Sequence, residues 1–144
     1  MTSTPRPLPD AVPEAEVFCH LVVDVVSDKG AEEVVAVEVG PVLGLVDWFV
    51  ICNGRNERHV RALLDDLERK VRELTGRRPL RVEGREHLRW VLVDYGDVVV
   101  HLFDPETRSY YELERLWTDM RRIVPEGSSA EEGGARRPAR SVDG

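Results

Sequence analysis

Cysteine is scarce in this 144-residue chain, and the two present, Cys19 and Cys52, form no Cys-x-x-Cys pair. A buried reduced thiol is therefore expected at each, ahead of a disulfide. The four histidines (His20, His59, His87 and His101) are scattered, and no two have the i, i+4 spacing of a zinc-binding helix. No metal site and no cofactor are expected. Apolar runs such as Val98–Val100 are far too short to cross a bilayer. The first ten residues hold three prolines and no apolar core, so a secretory signal is not expected and a cytoplasmic address is.

Catalytic patterns are missing as well. Between residues 13 and 125 the only serines are Ser27 and Ser109, and neither lies in a Gly-x-Ser-x-Gly elbow. Cys52 closes an apolar run and reads as packing rather than as a nucleophile. The turn Cys52-Asn-Gly54-Arg-Asn56 could offer backbone N–H groups to a phosphate. Nucleotide transfer would also need carboxylates spaced to hold Mg²⁺, and the chain contains no Asp-x-Asp. A nucleotidyltransferase-like enzyme is thus the weaker alternative to a binding protein.

Acidic charge is plentiful. The net charge is −7, of which residues 14–125 carry −6. Such a domain is repelled by a nucleic-acid backbone and attracted to a basic partner. No primary nucleic-acid contact is expected, and a basic stripe on one face would reopen the question.

The chain divides into a flexible proline-rich arm (residues 1–12), a single folded domain (residues 13–125) and a disordered Gly/Ser/Ala/Glu/Arg tail (residues 126–144). Within the domain, Pro13 opens a helix bearing Val17, Leu21 and Val25 beside Phe18, Val22 and Val26. Val34–Val39 and Val46–Cys52 read as strands, the second apolar on both faces and therefore central. Asn56 is the expected N-cap and Gly76 the stop of a long helix with Val60, Leu63, Leu64, Leu67, Val71 and Leu74 on one stripe. Leu80–Glu83 is a short strand, and Arg89–Asp94 and Val98–Phe103 form a hairpin joined at Tyr95–Gly96. Asp104–Pro105 caps a final helix carrying Tyr110, Leu113, Leu116, Trp117 and Met120. The fold class expected is α/β (α+β), a mixed sheet of about five strands with helices packed mainly on one face.

Strand Arg89–Asp94 decides where function lies. Alternation puts Trp90, Leu92 and Asp94 on one face and Val91 and Val93 on the other. If helices cover one face only, Trp90 is either core or an exposed anchor rimmed by Glu83, Asp94 and Asp97, and periodicity leaves both open.

The motifs Asp47–Gly54, Glu57–Arg61, Val82–Gly84, Trp90–His101 and Arg108–Trp117 resemble, in order and spacing, the Iojap family of ribosomal silencing factors. The resemblance runs from about Glu14 to Trp117. It implies a nucleotidyltransferase-like fold without the catalytic groups, and no enzymatic activity. It further implies binding to ribosomal protein fourteen of the large ribosomal subunit. That would block joining of the small subunit and repress translation under nutrient limitation. Some members form a homodimer. The partner surface implied here has Trp90 as apolar anchor, Tyr95 beside it, and Glu83, Asp94 and Asp97 facing basic side chains. Arg55–Asn56 departs from the family's usual Thr-Ser, and Leu45–Val46 also differs; asparagine still caps a helix.

Overall fold

A computed structural model describes residues 13–125. The expected arm (1–12) and tail (126–144) lie outside the described residues. Pro13 precedes helix α1 (Glu14–Asp28), whose amphipathic pattern buries Phe18, Cys19, Val22, Val23, Val25 and Val26. Val17, placed on that stripe from spacing, faces outward. Strand β1 (Glu32–Glu38), a one-turn helix α2 (Gly40–Leu43) and strand β2 (Trp48–Asn53) follow. Helix α3 (Glu57–Thr75) starts and stops where capping chemistry predicts. The Asn56 side chain accepts from the His59 N–H at 2.9 Å, and Gly76 ends the helix in the left-handed conformation.

The remaining strands are β3 (Arg81–Glu83), β4 (Trp90–Asp94), β5 (Val98–Phe103) and β6 (Arg122–Ile123), with helix α4 (Pro105–Tyr111) and a 3-10 turn (Leu113–Trp117) between the last two. They form one mixed sheet of order β3-β4-β5-β2-β1-β6. Among the described strands only β2 and β5 run parallel, which requires the long crossover through α3. The apolar β2 is indeed internal. The sheet has six strands where about five were expected, and the extra one is the two-residue β6.

That strand exists because the last helix is shorter than its apolar spacing suggests. Glu112 takes a left-handed backbone (φ 47°) directly after Tyr111, so the helix stops there. The chain tightens into the 3-10 turn and returns along β1. Tyr110 and Leu116, expected on the apolar side, are exposed.

Helices α1 and α3 cover one face of the sheet, against Val34, Ala36, Trp48, Val50, Cys52, Val91, Val93, Val98, Val100 and Leu102. The opposite face holds a smaller cluster of Val35, Val37, Val39, Ile51 and Phe103, partly covered by Leu113, Trp117 and Met120. This cover does not extend over the β3–β4 end of the sheet, where Trp90 and Leu92 remain half-buried.

Candidate functional site

The Trp90 face follows from hairpin register. In β4, Val91 and Val93 point at the helices and are buried, while Trp90, Leu92 and Asp94 alternate onto the other face. Trp90 lies opposite Phe103 and Leu92 opposite His101. The turning residues are Gly96 and Asp97 rather than Tyr95–Gly96, because the Tyr95 N–H bonds the Val98 carbonyl at 2.9 Å and Gly96 supplies φ +98°. The resulting two-residue register shift keeps every side chain on its expected face.

The Trp90 indole is held on three sides. Its ring lies 4.8 Å from Phe103 and 4.9 Å from Tyr111, and its Nε1–H donates to Nδ1 of His101 at 3.1 Å. The free side opens into a groove of about 610 Å³ whose walls include Glu83, Leu92, Thr107 and Tyr111. A fixed, half-buried aromatic with an open apolar edge suits a binding anchor, since little side-chain freedom is left to lose.

His101 was not singled out from sequence, and it organises this face. It is buried, and burial alone pushes its pKa down to about 4. The ring is thus neutral, and because Nδ1 accepts from Trp90 the proton sits on Nε2. Nε2 has no partner among the described residues. Phe49 closes over the ring edge-on at 4.6 Å. The hairpin register could have revealed the pair, since it places Trp90 and His101 on one face.

The five residues implied as a partner surface do not all come together. Trp90, Asp94 and Glu83 share one face, and Arg81 bridges the two acids at 3.0 Å to Glu83 and 3.4 Å to Asp94. Asp94 also accepts from the Gly96 N–H at 2.8 Å, which shapes the turn. Tyr95 is the correction. It points to the helix-covered face, is 4% exposed, and packs edge-on against Phe18 at 5.2 Å. Alternation along the strand sends residue 95 with Val91 and Val93, away from Trp90. Asp97 is drawn to the same helical side by Arg77, whose guanidinium binds the Asp97 carboxylate at 2.7 Å and the Tyr95 carbonyl at 2.9 Å while lying over the Phe18 ring.

Two other residues carry weight that spacing did not reveal. Gly84 (φ +96°) passes so close to β4 that an added Cβ would sit 2.2 Å from the Trp90 carbonyl oxygen. Only glycine lets β3 turn away beside the anchor. Arg108 is buried and ties α4 to the ends of β1 and β2. Its Nη1 donates to the Glu33 carbonyl at 2.8 Å and to the Asn53 side chain at 3.1 Å, and its Nε pairs with Glu114 at 3.2 Å.

At the Gly54 turn, the Arg55 N–H bonds His59 Nδ1 and the His59 N–H bonds Asn56, so these amides serve the helix itself. His59 Nε2 in turn donates to the Lys29 carbonyl at 3.0 Å, joining α3 to the end of α1. Among the described residues no three His, Cys, Asp or Glu side chains gather as a metal site. Both cysteines are free and buried, and burial pushes each thiol up to about 12, so neither is an activated nucleophile.

Comparison with known proteins matches residues 12–143 to a family described as ribosomal silencing factor during starvation. A ribosomal silencing factor of Halalkalibacterium halodurans is 45% identical over 108 residues, which is 75% of this chain and 92% of that protein. A mouse protein named for mitochondrial assembly of the ribosomal large subunit is 35% identical over 100 residues, 68% of this chain and 44% of its own length. A crystal structure of a Chromobacterium violaceum protein superposes with a TM-score of 0.69 at 30% identity, covering 86% of this chain and 98% of the other.

Proposed function

Because this chain belongs to the ribosomal silencing factor family, we propose that it binds ribosomal protein fourteen on the large subunit and there blocks joining of the small subunit. Translation falls as a result when nutrients run out. The mechanism is occlusion: one bound domain fills a surface that the small subunit needs, so neither catalysis nor a cofactor enters, and the site of action is the cytoplasm. The name of the mouse relative, which refers to the large subunit, supports the choice of subunit.

The observation that carries the reading is the Trp90 groove, an aromatic anchor locked by His101, Phe103 and Tyr111 at the uncovered end of the sheet. Glu83 lies in the groove wall and Asp94 farther along the same face, both available to a basic partner once Arg81 swings aside. The Arg81–Glu83 pair is solvent-exposed and worth at most about 1 kcal/mol, and Asp94 is partly exposed, so exchanging Arg81 for a partner's cations costs little. Asp97 contributes by holding the turn through Arg77. A homodimer is part of the same proposal, and exposed Val42, Leu43 and Leu45 around α2 offer apolar surface for it. Light scattering on the purified protein checks that point.

The deciding experiment is sedimentation of purified ribosomal subunits with increasing protein. Subunit joining is expected to fall as the large subunit saturates. Full joining at saturation rules the occlusion reading out.

A further inference from the structure

The charge of this acidic chain is unevenly placed. Residues 69–85 hold seven basic side chains (Arg69, Lys70, Arg72, Arg77, Arg78, Arg81 and Arg85) against Glu73 and Glu83, a local +5 that leaves −12 on the rest. The fold gathers five of these arginines around one groove of about 620 Å³ between the end of α3 and strand β3. Arg69, Arg72, Arg78, Arg81 and Arg85 line it, with Asp65 and Glu68 as its only carboxylates among the described residues, and all five arginines are exposed. Three are engaged: Arg69 with Asp66, Arg81 with Glu83, and Arg85 with Glu68. Among the described residues Arg72 and Arg78 have no ion-pair partner, so their guanidinium forks remain available to an anionic ligand.

We infer that this arginine groove binds the phosphodiester backbone of RNA, as a second contact to the ribosome beside the Trp90 groove. Exposed arginines gathered along one groove are the chemistry that backbone binding requires. The place agrees as well. Val82 and Arg81 line the arginine groove while Glu83 and Gly84 line the Trp90 groove, so the two meet along strand β3. A partner seated on Trp90 brings its surroundings to this edge, and on a ribosome those surroundings are largely RNA. The acidic remainder of the domain is repelled by the same backbone, which turns the arginine edge inward. The inference rests on the proposed ribosomal site for its location and on the groove alone for its chemistry.

The test measures the salt dependence of binding to purified large subunits, and binding to a short RNA duplex at low salt, for the full chain and for Arg72→Ala/Arg78→Ala. Removing two phosphate contacts is expected to lower the log–log salt slope by about 2 and to weaken duplex binding at least tenfold. Arg72→Lys/Arg78→Lys should restore most of the slope, which separates lost charge from altered folding. An unchanged slope overturns the inference. So does a groove that retains polyglutamate but not the duplex, since the partner would then be an acidic protein. Trp90→Ala, run alongside, keeps the two claims apart: it should keep duplex binding while losing large-subunit affinity. If instead it binds subunits as the parent does, the Trp90 reading fails, whatever the arginine result.

Discussion

The Nε1–H of Trp90 donates to Nδ1 of His101 at 3.1 Å, and this bond fixes both the tautomer of a buried histidine and the tilt of an exposed-edged indole. Burial holds the His101 pKa down to about 4 from its ordinary 6.5. The sign follows directly. Below pH 6.5 the unfolded chain takes up a proton at this residue and the folded chain does not, so stability declines as pH falls towards 4. The decline is about 1.4 kcal/mol per pH unit and about 3 kcal/mol in all. Glu16, whose carboxyl is held below its ordinary 4.5 by its bond to Arg121, begins to lose its contribution only as pH falls below about 4.5. Urea unfolding at pH 7 and pH 5 should show the loss in the parent and a much smaller one in His101→Phe. Equal losses in both would remove His101 as the cause.

Trp90→Ala tests the anchor itself. The side chain is half-buried at the sheet's open end, so its removal should leave the domain folded, with a cooperative melt and unchanged circular dichroism. Truncating an aromatic anchor costs about 2 kcal/mol or more of binding, close to a thirtyfold loss of affinity. Large-subunit co-sedimentation reads this directly, and unaltered binding would take Trp90 out of the contact surface.

Tyr95 should behave in the opposite way. Its hydroxyl is buried without a hydrogen-bond partner among the described residues, on the face covered by α1 and α3. Removing only that oxygen, in Tyr95→Phe, should leave stability equal or slightly raised and large-subunit affinity unchanged. Tyr95→Ala empties a core position beside Phe18 and should cost about 3–5 kcal/mol of stability. A selective loss of binding in Tyr95→Phe, with stability intact, would restore Tyr95 to the partner surface.

What was legible in the sequence was what local chemistry determines. Asn56 and Gly76 mark the ends of α3 because capping needs only neighbouring residues. The alternation of β4 placed Trp90, Leu92 and Asp94 on one face for the same reason. The partner surface implied by family resemblance was split by geometry, because a resemblance places residues in order along the chain while alternation decides their faces. That is why Tyr95 went inward. The end of α4 was unreadable because Glu112 adopts a left-handed backbone with no glycine to announce it. Gly84 and Arg108 act through partners distant in sequence, the Trp90 carbonyl and the Glu33 carbonyl, and no periodicity records such contacts.

Arg108 gives the strongest stability prediction. Strand β1 is irregular between Glu32 and Val35, where its pairing with β2 shifts register, and Glu33 sits there at φ 51°. The Glu33 carbonyl, displaced from the ladder, is taken up by Arg108, which also binds Asn53 and Glu114. Arg108→Met keeps the volume of the side chain but strands a carbonyl, an amide oxygen and a carboxylate at once. Removing one partner of a buried ion pair costs about 3–5 kcal/mol, and because Glu114 is partly exposed a loss of about 3 kcal/mol is expected here. The urea midpoint should fall with an unchanged slope, since the folded state remains equally compact. Arg115→Ala is the control. Its pair with Glu112 lies in solvent, so its removal should change stability by no more than about 0.5 kcal/mol. If the two variants unfold at the same urea concentration, Arg108 is not the clasp that holds α4 to the sheet.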